Sequence, residues 1–458
     1  MDWTPHSVAD ATGGTVVGDA APAEPAAAIR AVTIDSRLVQ GGEMFVAVKA
    51  DRDGHQFLAA AVSAGARAVM VDEGRLPQGL SVPAVVVQDT SKGLLALGSA
   101  ARNRLAGQVV GITGSVGKTS TKDLTAAALA SGRTVTASEK SFNNELGVPL
   151  TLANADASTD VAVIEMGARG MGHIALLCSV AKPTVAVVTA VAAAHTELFG
   201  TLDNIAAAKG ELVESLPPGG TAILNGDDAR VAKMATRTTA RSLLYSLQSS
   251  TADIVATDVR HDDELRSAFT AHTPWGTVHV TLEARGSHQV PNALAALAVA
   301  GVCGVPLEEA AGGLAEAKLS PWRMELIRTA GGGMVLNDAY NANPASMRAA
   351  LQSLASLPAT RRIAVLGEMA ELGELGPAEH REIAAFAANL GIEVVAVGTS
   401  DYGVPPITLS EAEGTVGSLG AGDAVLVKAS RVAGLERLAE KLAQRARRGD
   451  PTASESDG

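Results

Sequence analysis

Apolar residues in this chain come in short β-branched runs, separated by alanine-rich stretches with helical spacing. In the first hundred residues "VTIDSR", "EMFVAVKA", "ARAVMVD" and "PAVVVQD" read as strands and "FLAAAVSAGA" as a helix. Asp89 and Thr90 open a further helix that runs to Arg104. Beyond it, "VVGIT", "DVAVIE" and "PTVAVVTAV" are apolar enough to be strands buried on both faces. "LDNIAAAKGELVES" and "SHQVPNALAALAVAGV" read as helices. A Ser320-Pro321 break follows, then "GGMVLND", "RIAVLGEMAELGE", "IEVVAVG" and "DAVLVKASR", strand-and-loop units with helices between them, one of them entered at Pro344. The alternation predicts an α/β protein, and 458 residues suit about three domains. The divisions fall at 1–105, 106–320 and 321–446. The remaining 447–458 is a Gly, Asp, Pro, Ser and Glu tail read as disordered.

The stretch "VVGITGSVGKTSTKDL", 109–124, carries the clearest chemistry. A strand leads into a glycine-rich turn, and Gly117-Lys118-Thr119 opens a helix. Backbone N–H groups at such a helix start carry partial positive charge, and glycines let the loop close around phosphate oxygens. Gly114, Ser115, Val116, Gly117 and Ser120 form the cradle. Lys118 would neutralise the β- and γ-phosphates, and the Thr119 hydroxyl would hold Mg²⁺. The loop is the shorter TGxxGKT form, because Ile112 stands where the strict pattern has glycine. By itself it predicts nucleotide binding and leaves turnover open.

Composition narrows the class. Hydrophobic residues make up 47% and aromatics only 3%, so the core must be aliphatic. A net charge of −12 argues against nucleic acid as a general partner. No secretory leader opens the sequence, and no apolar stretch of about 18 residues predicts a membrane span. Cys178 and Cys303 sit in apolar runs and read as buried thiols, which fits a reducing cytoplasm.

Other polar residues stand at strand ends. Ser36, Arg37, Asp53 and His55 could grip a diphosphate or a uracil, or could form ordinary turns. Asn143 and Asn144 either face a site or bond the local backbone. Glu165 ends a strand beside the phosphate loop, where a metal-binding acid is needed. His195 follows the next strand and Lys209 lies in the helix after it; their interest comes from joint placement. Asn292, near a helix start, could read an adenine edge or serve as a cap.

Taken in order, "TGSVGKT", Glu165, His195, Lys209, Asn292, Arg323 and Asp338 resemble the Mur ligases over residues 30 to 435. These are ATP-dependent amide ligases of peptidoglycan precursor synthesis, related to folylpolyglutamate synthases. The resemblance implies an N-terminal α/β substrate domain, a central P-loop ATPase domain with a mainly parallel sheet, and a C-terminal Rossmann-like α/β ligase domain. "DAYNANPASM", "SFNNELGVPLTL" and "VLGEMAELGE" look like the branch that joins D-alanyl-D-alanine to UDP-N-acetylmuramoyl-tripeptide. The DNPR motif of the diamino-acid-adding branch does not occur, nor does the DGAHNP of folylpolyglutamate synthases. Two glycines common in the family are replaced, by Ala50 and Ala429, and a glycine-specific conformation there would be lost.

The resemblance also implies roles. ATP and Mg²⁺ are required. Thr119 and Glu165 hold one Mg²⁺, Glu165 and His195 a second, and Lys209 is carbamylated to N6-carboxylysine. Lys118 and Arg323 act on the transferred phosphoryl group, and Asn292 and Asp338 on the adenosine. Ser36, Arg37, Asp53 and His55 meet the UDP-muramoyl end, and Asn143 and Asn144 line the path to the acceptor carboxylate. Tyr340, Asn341, Asn343, Ser346, Lys428 and Arg431 contact tripeptide or dipeptide. The enzyme would be a cytoplasmic monomer whose C-terminal domain closes on a hinge at 319–322. Another ligase on the same scaffold and a non-catalytic nucleotide-binding module are the alternatives; the joint presence of Glu165, His195 and Lys209 argues for turnover.

Overall fold

The structure is a computed structural model that describes residues 2–18, 28–139, 142–193 and 196–445. His195 and the tail 447–458 lie outside the described residues. Three sheets follow one another along the chain. The first holds β1 (Thr15–Val17), β2 (Val32–Thr33), β3 (Met44–Val46), β4 (Ala68–Asp72) and β5 (Ala84–Val87) in the order β1-β5-β4-β3-β2. Only β1 runs antiparallel to its neighbour. "VTIDSR" is strand for two residues only. The Asp35 carboxylate accepts from the Arg37 N–H at 3.0 Å and pulls Ser36–Leu38 into a 3₁₀ turn.

The second sheet holds β6 (Gln108–Thr113), β7 (Val135–Ala137), β8 (Val161–Glu165), β9 (Val185–Val188), β10 (Thr221–Asn225), β11 (Arg241–Ser246), β12 (Ile254–His261), β13 (Arg266–Thr273) and β14 (Gly276–Arg285). Its order is β14-β13-β12-β11-β10-β9-β6-β8-β7. It is parallel from β7 to β12 and antiparallel beyond. The strand order reverses at β6, so a crevice opens at that strand's carboxyl end. β6 is buried on both faces, against the helix Leu202–Glu214 on one and the helices Lys118–Ala130 and Gln289–Val302 on the other. The latter helix buries every residue from Ala293 to Ala300, as expected of a helix that is apolar all round.

The third sheet holds β15 (Glu325–Arg328), β16 (Met334–Asn337), β17 (Arg361–Leu366), β18 (Glu393–Ala396) and β19 (Asp423–Lys428), ordered β15-β16-β19-β17-β18. Its outer strand β15 is antiparallel and the other four are parallel.

The first two sheets share one core: Trp3, Ile29 and Leu94 pack in the same cluster as Val148, Leu177 and Leu212. Polar contacts reinforce that seam. The Trp3 indole donates to the Ala153 carbonyl at 2.9 Å, and the Asn154 amide pairs with both the N–H and the C=O of Val32, at 2.7 and 2.9 Å. The third sheet has its own core on each face, with one intruder. Leu265, at the turn between β12 and β13, is 3% exposed and packs in the cluster of Met324, Leu336, Met347 and Leu351. Among the described residues no helix is long and apolar enough to cross a membrane.

Candidate active site

The phosphate loop springs from the carboxyl end of β6. Gly114 has φ 151°, and a Cβ there would lie 1.9 Å from Thr189 Oγ1. Gly117 has φ 82°, and a Cβ would lie 2.8 Å from Asn292 Oδ1. Both glycines are therefore required by the turn and by close approach. Ser115 fixes the loop to the chain after β9: its N–H donates to the Ala190 carbonyl at 2.7 Å and its hydroxyl to the Ala192 carbonyl at 3.0 Å. Lys118 Nζ donates to the Gly114 carbonyl at 2.8 Å. Burial pushes this ammonium below its ordinary pKa, Glu165 draws it back, Arg323 adds to the depression, and Glu371 opposes it.

Around the helix N-terminus the polar groups converge. Thr119 Oγ1 donates to Glu165 Oε2 at 2.7 Å and accepts from Arg323 Nη2 at 2.7 Å. Asn143 Nδ2 donates to Glu165 Oε1 at 2.8 Å. Glu165 is 1% exposed, and these side-chain partners are neutral. The charge of Lys118 acts on this buried carboxylate, and a divalent cation beside it would add to that compensation. The Glu165 oxygen and the Thr119 hydroxyl are hard donors of the kind Mg²⁺ takes. No three His, Cys, Asp or Glu side chains among the described residues form a metal-holding group. Lys209 is 4% exposed and its pKa lies well below the ordinary value, first from burial and then from the charge of Lys118.

Arg323 reaches this point from the third sheet's side of the molecule. Its neighbours Trp322 and Met324 both have left-handed backbone, φ 61° and 53°. Such strain persists where surrounding structure enforces it. The guanidinium lies over the Tyr340 ring at 4.2 Å, and the Met324 N–H donates to Asp338 Oδ1 at 3.2 Å. Arg431 lies over the Trp322 ring at 4.3 Å.

A cavity of about 590 Å³ joins these groups. Ser115 to Ser120, Asn143, Asn144, Glu165, Lys209 and Asn292 line it from the central part. Arg323, Asp338, Tyr340, Asn341, Asn343, Ser346, Lys428 and Arg431 line it from the C-terminal part.

The family models agree with this layout. The Mur ligase middle domain matches residues 112–300, and the domain described as Mur ligase, glutamate ligase domain, matches 322–451. The UDP-N-acetylmuramoyl-tripeptide–D-alanyl-D-alanine ligase of Mycobacterium tuberculosis is 39% identical over an alignment of 502 residues, covering 96% of this chain and 98% of that protein. The chain belongs to the Mur ligase family. The ligase of the same name from Escherichia coli is 38% identical over 377 residues, 82% of each chain. Among solved structures, MurF from Acinetobacter baumannii superposes with a TM-score of 0.85 at 30% identity, covering 97% of this chain and 99% of that one. MurF ligase from Thermotoga maritima in complex with ADP gives 0.79 at 28% identity, covering 93% and 99%.

Several sequence-predicted residues sit elsewhere or are already engaged. Ser36, Arg37, Asp53 and His55 do not line the cavity. Arg37 is exposed and paired with Asp35. His55 Nε2 accepts from the Asp72 N–H at 3.0 Å, so Nδ1 carries the proton toward Asp53 at 2.8 Å. That contact, with Arg75 also on Asp53 at 2.5 Å, holds the Asp53 carboxyl at about 2. Asn144 bonds the local backbone, accepting from the Leu146 and Gly147 N–H groups. The Asn292 amide is bound on both sides, by the Thr121 hydroxyl at 3.1 Å and by Gln289 at 2.9 Å. Neither Ala50 nor Ala429 has left-handed backbone. The Ala429 methyl faces Gly367, where a Cβ would meet it at 2.7 Å, so the alanine is accommodated by the glycine that follows β17.

The cavity also takes in residues that sequence reasoning passed over: Arg169, His173, His288, Gln289 and Glu371. Gln289 stood in view, three positions before Asn292 on one helix face. Nothing local marked Glu371.

Proposed function

We propose that this chain is an ATP-dependent ligase that joins D-alanyl-D-alanine to UDP-N-acetylmuramoyl-tripeptide, giving the UDP-muramoyl-pentapeptide, ADP and phosphate. The full-length likeness to ligases of that name supports the substrates. The observation that carries the chemistry is the contact of Arg323 with Thr119, which brings a C-terminal loop onto a phosphate-binding loop in one cavity. We divide the chain into a UDP-muramoyl-peptide domain, 1–105, an ATPase domain, 106–320, and a ligase domain, 321–446, acting as a cytoplasmic monomer.

A carboxylate does not react with an amine at neutral pH, so it is first phosphorylated by ATP. The acyl phosphate then loses phosphate to the attacking amine. Phosphoryl transfer needs positioning and charge neutralisation more than covalent help. The loop N–H groups from Gly114 to Ser120 and the Lys118 ammonium hold the phosphates. Arg323 bears on the γ-phosphoryl group, with Asn292 and Asp338 on the nucleoside side. Thr119, Glu165 and His195 are the candidate Mg²⁺ ligands, and bound Mg²⁺ would neutralise charge on the phosphates. Burial pushes the Lys209 ammonium well below its ordinary pKa, with the charge of Lys118 adding to the shift, which favours the neutral amine. A neutral amine can take up CO₂, and as N6-carboxylysine this residue would present an anion beside Lys118. Ser36, Arg37, Asp53 and His55 remain our candidates for the UDP-muramoyl end, Asn143 and Asn144 for the acceptor path, and Tyr340, Asn341, Asn343, Ser346, Lys428 and Arg431 for the peptides. The segment 319–322 serves as the hinge, anchored where the Ser320 N–H donates to Asp123 Oδ2 at 2.7 Å.

The test is phosphate release from Mg-ATP with UDP-muramoyl-tripeptide, with and without D-alanyl-D-alanine, with product mass read in the same tubes. Release that depends on both substrates, with pentapeptide formed, is expected. Release only with a different acceptor or amino acid would reassign the substrates, and ATP binding without any release would remove the enzyme reading.

A further inference from the structure

Lys122 and Asp123 form an ion pair on the helix Lys118–Ala130, one turn beyond the phosphate loop. Lys122 Nζ meets Asp123 Oδ1 at 2.8 Å, and the two side chains are 4% and 11% exposed. The same ammonium donates to the Ser138 carbonyl at 2.8 Å. Ser138 Oγ in turn accepts from the Glu165 N–H at 3.2 Å. Neither Lys122 nor Asp123 lines the cavity, and neither takes part in the chemistry proposed for it.

The second oxygen of Asp123 holds the start of the C-terminal part, accepting from the Ser320 N–H at 2.7 Å. Three residues later Arg323 Nη2 donates to Thr119 Oγ1 at 2.7 Å. Thr119 and Asp123 are four positions apart on one helix and so share a face. The strap 320–323 is therefore pinned to that helix at both ends. Between the pins Trp322 is left-handed at φ 61°, a conformation costly for an aromatic residue and kept where the chain on both sides is fixed. Hydrogen bonds and short chain segments thus close a ring that leaves Glu165 through Ser138 and returns to it through Thr119. Within this ring Arg323 Nε is buried and finds no acceptor among the described residues. The direction of that open donor depends on where the strap sets the Arg323 backbone.

We infer that Asp123 is a positioning residue for phosphoryl transfer: its carboxylate, held by Lys122, fixes the Ser320 end of the strap and thereby aims Arg323. This rests on the proposed ligase reading. A carboxylate suits the task because one oxygen takes the Lys122 ammonium while the other takes the Ser320 N–H, and a charged acceptor makes the shorter, stronger hydrogen bond. Lys122 removes the cost of leaving that carboxylate alone in a nearly dry position. Asp123 acts on the reaction only through Arg323, and a shift of the guanidinium by about 1 Å is enough to cost about 10²-fold in rate.

Removing Asp123 alone would strand the Lys122 ammonium, so both arms of the test carry Lys122→Met. Combined with Asp123→Asn, the chain keeps an acceptor for Ser320; combined with Asp123→Ala, it does not. Steady-state kinetics of the full chain, with pentapeptide read by mass, should put kcat of the alanine arm about 10–100-fold below that of the asparagine arm. The KM for ATP should be the same in both, because the phosphate loop is untouched. Ser320→Pro removes the donor from the other side, leaves the helix intact, and should lower kcat in the same way. In an Arg323→Ala background the two arms should be equal, since the group being aimed is gone, whereas a merely structural role would lower activity there as well. Equal kcat in the two arms overturns the inference. So does a difference that persists without Arg323, or a higher ATP KM at unchanged kcat. Should either paired variant fail to fold, Ser320→Pro with and without Arg323→Ala gives the same decision. If wild type makes no pentapeptide, the ligase reading itself fails, a result distinct from these.

Discussion

Lys428 Nζ meets Asp338 Oδ2 at 2.5 Å and donates to the Asn341 carbonyl at 2.8 Å. The lysine side chain is 2% exposed and the carboxylate 15%. Asp338 also accepts from the N–H of Met324, the residue after Arg323. A buried ion pair thus ties the end of β19 to the end of β16 and sets the backbone that aims Arg323 at Thr119. Two residues suggested separately for peptide and nucleoside contacts are one structural unit.

Breaking that unit from one side leaves an uncompensated buried charge. Lys428→Met should lower stability by about 3–5 kcal/mol. Adding Asp338→Asn should return part of the loss, because the stranded carboxylate is gone. A double-mutant cycle in urea unfolding reads the coupling. Losses that simply add would show that the two charges do not depend on each other.

Arg323 bridges the phosphate-loop helix and the third sheet's loops through the Thr119 hydroxyl. Its planar fork both donates to Thr119 and stacks on Tyr340, and a lysine can do neither in the same geometry. Arg323→Lys should keep net charge and fold yet lower kcat by about 10²–10³, the range for loss of one preorganised donor. Steady-state rates at saturating ATP check this. A kcat near wild type would mean that charge alone suffices there.

Local signals were legible in the sequence, and long-range ones were not. The phosphate loop was readable because the φ of Gly114 and Gly117 and the helix start are set within ten residues. The strands flanking it were readable from unbroken apolar runs. Asn143 and Asn144 are adjacent and chemically identical, yet one reaches Glu165 and the other folds onto its own turn; only the tertiary path of the loop separates them. The antiparallel strands β12 to β14 carry alternating burial, with Phe269 and Ala271, then Val278, Val280, Leu282 and Ala284, facing in. That period-two alternation is itself a local sequence signal for these strands. The pairing of Lys428 with Asp338 spans ninety positions, and no spacing rule could have proposed it.

Leu265 links the central sheet to the third. It is held at φ 66° on a turn, with its side chain inside the C-terminal core. Beside it Glu264 Oε1 accepts from Arg328 on β15 at 2.8 Å. Leu265→Ala should cost about 2–5 kcal/mol, the range for truncating a buried leucine. The loss should fall on the C-terminal part, so that calorimetry of the full chain resolves an earlier transition for it while the shared core of the first two sheets melts as before. A uniform shift of one transition would show instead that all three sheets unfold together.

Lys209 provides the clearest dependence on conditions. Its folded-state pKa is depressed below the unfolded value by burial and by Lys118. Between those two values the unfolded chain binds more protons at this residue, so its contribution to stability becomes more favourable as pH rises through that window. Uptake of CO₂ by the neutral amine releases a proton and is favoured in the same direction. Enzyme prepared and assayed in CO₂-stripped buffer should therefore lose activity, and bicarbonate should restore it. The restoration should weaken as pH falls toward the depressed pKa, where the amine protonates. Lys209→Met should abolish that response without destabilising the fold, because it fills the same volume without a charge to bury. Labelled bicarbonate followed by carbon NMR reads the carbamate directly. Full activity without CO₂, together with no carbamate signal, would leave Lys209 unmodified.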